Sequence, residues 1–167
     1  KNHYFFFKFL SKLKKNNINF KAFLVGRKVN KNNQILENLV EKFNLKKNIK
    51  YLKEKNNIDL YYQKFDLLIS TSFYGESFPN ILAESMINKT ICLAPDVGEN
   101  YFIINNKNLI YKKNDLNDLY LKFSNILKFK NKKKWYLLEE KLHNRAKHKL
   151  TIKKMLLQYD NLFNSLK

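Results

Sequence analysis

The sequence predicts a doubly wound α/β domain built on a parallel sheet, and three observations lead there. Short apolar runs of strand length alternate with longer stretches whose apolar residues recur at spacings of three and four. The short runs are apolar at consecutive positions, as in strands buried on both faces. Gly26, the 74–76 loop and the 96–98 loop each follow such a run. Ligands in open α/β sheets sit beyond the carboxyl ends of the strands, so these three loops fall on one functional edge.

In chain order, residues 3–15 read as a helix with Phe6, Phe9, Leu10 and Leu13 on one face, ended by Asn16 and Asn17. A strand follows over 21–25, closed by Gly26. Residues 34–43 form a helix through Leu36, Leu39, Val40 and Phe43, and 49–52 a small strand. A short helix covers 58–64, with Asp59 in its first turn, and leads into a buried strand over 65–70. The next helix opens at Pro79, which suits a first turn because its missing N–H would be unpaired there anyway. Strands over 90–94 and 109–111 and a helix over 115–129 complete the alternation. Residues 132–167 have helical spacing in two pieces, broken near Leu150 and Thr151. Trp135 and Tyr136 are placed to anchor the first piece. No repeat or Gly/Ser/Pro linker interrupts the chain, so 1–167 reads as a single domain with a helical tail.

Composition narrows the function classes. The 167 residues suffice for one core, and 44% hydrophobic with 15% aromatic content excludes disorder. No apolar stretch approaches the roughly 20 residues of a membrane-spanning helix. The single cysteine, Cys92, cannot form an internal disulfide, and the three histidines lack ligand spacing, so no metal site is expected. The net charge of +19 suits an anionic partner, such as a bilayer surface. A compositional cause competes with that reading: Lys, Asn, Ile, Phe and Tyr are abundant together while Gly, Ala, Pro and Arg are scarce, as AT-rich coding produces. Nucleic acid is not expected, because the lysines are spread along the chain and no nucleic-acid motif is present.

The chemistry concentrates in Phe73-Tyr-Gly-Glu-Ser-Phe-Pro-Asn-Ile-Leu-Ala-Glu-Ser-Met86. A strand ends, a loop carries Glu76, and a helix begins with its free N–H groups facing the loop. Those groups and the helix dipole favour an anion. Glu84 lies about a turn and a half further along. Carboxylates do not bind phosphate, so Glu76 and Glu84 suit hydroxyls, as on a sugar or a ribose.

Glu76-Ser-Phe-Pro-Asn-Ile-Leu-Ala-Glu84 resembles the E-x7-E element of the retaining glycosyltransferases of GT-B fold, family 4 in particular, whose text is close to E-G-F-P-N-x-x-x-E-A-M. Ser77 and Ser85 stand where that text has Gly and Ala. The resemblance implies a Rossmann-like carboxy-terminal domain that binds a nucleotide-diphosphate sugar, with no metal and no cofactor. It assigns Glu76 to the hydroxyls of the donor sugar and Glu84 to those of the ribose. N–H groups near Phe78 and Asn80, with Ser77 and Pro79 shaping the mouth, would hold the diphosphate. Lys1, in Lys1-Asn2-His3, matches a family lysine on that diphosphate. Gly26-Arg27 resembles the glycine turn of capsule and lipopolysaccharide enzymes, where Gly26 would allow close backbone approach and Arg27 meet phosphate. Asp96-Val-Gly98-Glu99 resembles a D-V-G-D turn lining the donor site, with Gly98 in a left-handed conformation. Lys55 falls where the family often has an arginine near the base.

Several positions depart from the family. Its glycine and proline after the E-x7-E helix are Lys89 and Ile91 here, and Asn105 and Asn108 replace glycines. The family's first strand precedes Lys1-Asn2-His3 and takes an interior place in the strand order 3-2-1-4-5-6. The resemblance therefore implies a sheet with an interior gap, in the donor half of a two-domain enzyme that is inactive without its acceptor half. It further implies a cytoplasmic enzyme, peripheral on the inner face of the cell membrane, that builds polysaccharide or modifies a lipid-linked acceptor with retention. The alternative is a non-catalytic module binding a nucleotide sugar or an anionic surface. The closing helix crosses to the other domain in GT-B enzymes, so an orphaned apolar face is expected at the end of this chain.

Overall fold

Residues 2–75 and 77–165 are described in the computed structural model. The strands are β1 Ala22–Val25, β2 Ile49–Lys53, β3 Leu67–Ile69, β4 Ile91–Pro95 and β5 Ile110–Tyr111. The helices are α1 His3–Lys15, α2 Gln34–Lys42, α3 Asp59–Tyr62, α4 Asn80–Ile87, α5 Asn100–Ile104, α6 Leu116–Leu127, α7 Lys133–Lys149 and α8 Ile152–Ser165. Every strand pair is parallel, as the consecutive apolar runs required. The tail breaks at Leu150 and Thr151, where the periodicity lapses.

The strands form two hydrogen-bonded groups, β1-β2 and β3-β4-β5. Between β1 and β3 lies a cavity of about 500 Å³ whose walls include Leu24 on one strand, Leu67 and Leu68 on the other, and Phe6 and Leu10 of α1. The interior gap implied by the strand order is therefore present among the described residues, and β1 and β3 are both edges facing it.

β4 is the centre of the core. It has a partner strand on each side, α4, α5, α6 and α7 pack against it, and all five of its residues are buried. α1 buries more than the single face its spacing predicts: Phe5, Phe7, Phe9, Leu10 and Leu13 are all buried. It meets both α2 and α6, with Phe5 stacked on Tyr111 of β5 and Phe9 edge-on to Phe123 of α6. α5 is an element the periodicity did not predict; five residues are too short for a helical period, and Tyr101-Phe-Ile-Ile104 reads equally well as a strand.

The chain has only three glycines, so most of its left-handed turns fall to other residues. Asn17, Asn44, Asn105, Asn114 and Asn131 take positive φ, as do Lys28, Lys53 and Lys89. Asparagine tolerates that region best among non-glycine residues. Asn105 thus replaces a turn glycine directly, whereas Asn108 lies in a 3₁₀ turn over Lys107–Leu109. After α4 it is Lys89 itself, at φ +60°, that turns left-handed, while Asn88 stays at −91°. The cost is offset by a complete Schellman closure, with Thr90 N–H donating to Ser85 C=O at 2.8 Å and Lys89 N–H to Met86 C=O at 3.1 Å.

In the tail, Trp135 is buried and donates to Glu139 at 2.6 Å, but Tyr136 is exposed and lies outside the buried core. α8 buries no residue and leaves Ile152, Met155, Leu156, Tyr159, Leu162 and Phe163 exposed, which is the orphaned apolar face expected there. No described helix is long and apolar enough to cross a membrane.

Cys92, in the middle of β4, is wholly buried, and burial pushes its thiol up to about 12. Between the ordinary thiol range, about 8.5, and that value the unfolded chain gives up a proton the folded chain keeps, so this group makes stability fall as pH rises, by about 1.4 kcal/mol per unit. A thiol reagent at pH 8 is expected to leave Cys92 unmodified in buffer and to modify it fully in denaturant; rapid reaction in buffer would show that β4 is not enclosed.

Candidate functional site

α4 opens where β3 ends. Pro79 is its N-cap residue, at φ −71° and ψ 93°, so the helix starts at Asn80, one residue later than the proline-first reading. Proline has no side-chain acceptor, and the helix has no side-chain cap. α1, α2 and α6 each have one, from Asn2, Asn33 and Asp115. Leu82 N–H turns back to Pro79 C=O at 3.0 Å; the N–H groups of Asn80 and Ile81 have no acceptor among the described residues. Pro79 is buried, while Ser77, Phe78 and Asn80 are exposed, so the mouth is seated on the core and open to solvent. The dipole adds about half a positive charge at the same point.

The loops around the mouth are held by backbone contact. A Cβ built on Gly75 would stand 2.5 Å from Gly98 N and 2.6 Å from Gly98 Cα. The loop after β3 therefore lies directly on the loop after β4, and only glycine fits between them. Gly98 is left-handed, at φ +51°, as its turn required. Asn100, buried beneath that turn, donates from its side chain to Pro95 C=O at 2.9 Å. The start of α1 joins the cluster: Asn2 N–H reaches Thr71 C=O at 3.3 Å, and Thr71 Oγ1 returns a bond to Asn2 C=O at 3.2 Å. From the loop after β5, Lys113 lies over the Phe73 ring, 4.5 Å from its centroid.

Glu84 is exposed on the second turn of α4, and Tyr62 Oη donates to its Oε2 at 3.0 Å. α7 steadies α4 and α5 from behind. His143 Nδ1 is 2.7 Å from Ile87 C=O at the end of α4, and Arg145 donates to Ile103 C=O at 2.6 Å and to Phe102 C=O at the end of α5. Both side chains meet carbonyls at helix C-termini, where the dipole favours cations. Neither role was legible in the sequence, where His143 reads as one more solvated group.

The structure thus brings together Ser77, Phe78, Pro79, Asn80 and Gly98 about the mouth, with Glu84 along the helix. Lys1 and Glu76 lie outside the described residues. Gly26 closes β1 at φ +143°, a conformation that excludes a side chain on strain; a Cβ there would meet only Val29 Cγ2, at 3.5 Å, so backbone conformation rather than protein crowding demands the glycine. Arg27 is exposed and Lys55 sits 5.5 Å from the Tyr61 ring centroid; neither has an ion pair among the described residues. Sequence reasoning missed Gly75 and Tyr62 as individual residues. A signal for the first existed: all three glycines of a glycine-poor chain fall in loops at strand ends. Among the described residues no cluster of three or more His, Cys, Asp or Glu could hold a metal ion.

An open helix mouth at the carboxyl end of a parallel strand, with an acid a turn along, suits a ligand that joins an anion to hydroxyls, as the nucleotide-binding α/β domains do. The chain belongs to the group 1 glycosyl transferases, whose family pattern it matches over residues 1–149. Solved structures agree on the fold. The glycosyltransferase from Rickettsia africae is 21% identical, with a TM-score of 0.87 over 99% of this chain and 44% of its own. HepE of Anabaena, solved in complex with UDP, is 15% identical at a TM-score of 0.81, over 99% of this chain and 45% of its own. TarM is 26% identical at a TM-score of 0.74, over 96% and 31%. The chain therefore spans less than half the length of each, and its architecture is that of GT-B carboxy-terminal domains. No curated protein matches it.

Proposed function

We propose that this chain is the donor-binding half of a retaining glycosyltransferase of family 4, which moves a sugar from a nucleotide-diphosphate donor to a polysaccharide or lipid-linked acceptor. The observation that carries the reading is the uncapped, solvent-open mouth of α4 with Glu84 on its second turn. The amides of Asn80 and Ile81 and the dipole suit the diphosphate, whose charge grows as it leaves, so stabilisation there lowers the barrier electrostatically. Glu84 accepts from the ribose hydroxyls. Glu76 and Lys1 take the donor-sugar and diphosphate roles that the motif assigns them. In this reading Gly26 and Arg27 take the diphosphate-side roles that the motif assigns them, and Gly98, on the loop against Gly75, lines the donor site. The reaction needs no metal when amides and cations carry the charge. A cytoplasmic enzyme resting on the inner face of the membrane accords with the charge of +19.

Calorimetric titration of the chain with UDP, ADP and GDP tests this. One of them is expected to bind, and Glu84→Ala to weaken it by about 10- to 100-fold, the loss of hydrogen bonds to a charged acceptor. Binding that ignores Glu84, extends to any polyanion and falls steeply with salt would instead mark a general anion surface and overturn the proposal.

A further inference from the structure

Tyr62 ends α3 and is only 3% exposed, yet its hydroxyl meets the exposed carboxylate of Glu84. Its base is held as firmly as its tip. The Tyr62 carbonyl accepts from the buried Thr90 Oγ1 at 2.6 Å, and Thr90 is the residue that closes α4. The ring thus runs from the closure of α4 back to its second turn. A second seam runs beside it: Asn88 Nδ2 donates to Asp59 Oδ1 at 3.2 Å, and Gln63 Nε2 to Asn88 Oδ1 at 3.3 Å. A glutamate on an exposed helix face otherwise samples many rotamers, and a ligand must halt that motion when it binds.

We infer that Tyr62 is a positioning residue for nucleotide recognition, holding Oε2 of Glu84 so that the carboxylate is already aimed at a pair of vicinal ribose hydroxyls. This rests on the reading of Glu84 as the ribose acceptor. A carboxylate offers about four lone-pair directions, and the phenol occupies one. Burial, then the charge of Glu84 and its hydrogen bond, push the phenol's titration well above its ordinary range, so Tyr62 stays a donor at any physiological pH. Removing the hydroxyl leaves Glu84 in place but unaimed. The loss therefore falls on ribose recognition and spares the diphosphate.

The test titrates the chain with UDP, ADP and GDP, each beside its 2′-deoxy counterpart. The wild type is expected to prefer the ribonucleotide by about tenfold, and Glu84→Ala to erase that preference. Tyr62→Phe is expected to weaken the ribonucleotide by about three- to tenfold, with little change for the deoxynucleotide. Equal weakening of both, or an undiminished preference in Tyr62→Phe while Glu84→Ala removes it, overturns this inference and leaves the donor-site reading standing. A wild type that binds no diphosphate, or a preference indifferent to Glu84, overturns that reading and this inference with it. If Tyr62→Phe does not fold, 3,5-difluorotyrosine in place of Tyr62 keeps the shape and sharpens the donor; a stronger ribose preference supports the inference, and an unchanged one overturns it.

Discussion

Gly75→Ala is expected to cost about 2–3 kcal/mol of stability and to weaken nucleoside diphosphate binding by tenfold or more. The added methyl would lie 2.5 Å from Gly98 N and 2.6 Å from Gly98 Cα. Both are backbone atoms, so no rotamer change relieves the contact and the loops after β3 and β4 must part. The loop after β3 runs straight into the mouth of α4, so whatever moves it moves the amides that would face the diphosphate. Gly26→Ala is the contrasting variant: its methyl meets only Val29 Cγ2 at 3.5 Å, and its penalty is conformational, from φ +143°. Thermal melts and UDP, ADP and GDP titrations of the two variants separate the cases. Wild-type binding by a folded Gly75→Ala protein would mean that the two loops do not rest on one another.

Leu93→Ala is expected to be the most damaging core truncation, at about 3–5 kcal/mol, and to lower the melting temperature by roughly 10 °C or more. Leu93 is fully buried in β4, the strand with neighbours on both sides and helices packed against it, so little can move in to fill the space. Leu24→Ala makes the informative comparison. Leu24 already borders the cavity between β1 and β3, so truncation there removes fewer contacts and creates less new void. Its expected cost is at the lower end of the range, about 2 kcal/mol. Urea titrations of both variants measure the difference. Equal losses would mean that the β1 side is packed as tightly as β4.

Much of the fold was open to a reader of the residues. The alternation of buried runs with three-and-four spacings gave every strand of the sheet and all the helices except α5, with ends shifted by one or two residues. The mouth of α4 was legible for a chemical reason: proline before a helix, after a buried strand, leaves amides unspent wherever it occurs. Glu84 followed from its count along the same helix. Of the residues that stand where the family has glycines, Asn105 and Lys89 do take the left-handed turn, the first as asparagine's tolerance allows and the second against its own preference, whereas Asn108 does not.

What the residues could not announce were the meetings between them. Periodicity reports which way a side chain faces, and it does so from neighbours on one element. Which distant residue lies opposite depends on how elements stack, and that is settled by packing the whole core at once. Gly75 against Gly98, Tyr62 against Glu84, and His143 and Arg145 on the carbonyl ends of α4 and α5 are all contacts between separate elements, twenty or more residues apart. The local text thus specified the strands, the helix mouth and its acid, whereas the folded core chose the partners that hold the mouth open and the acid in place.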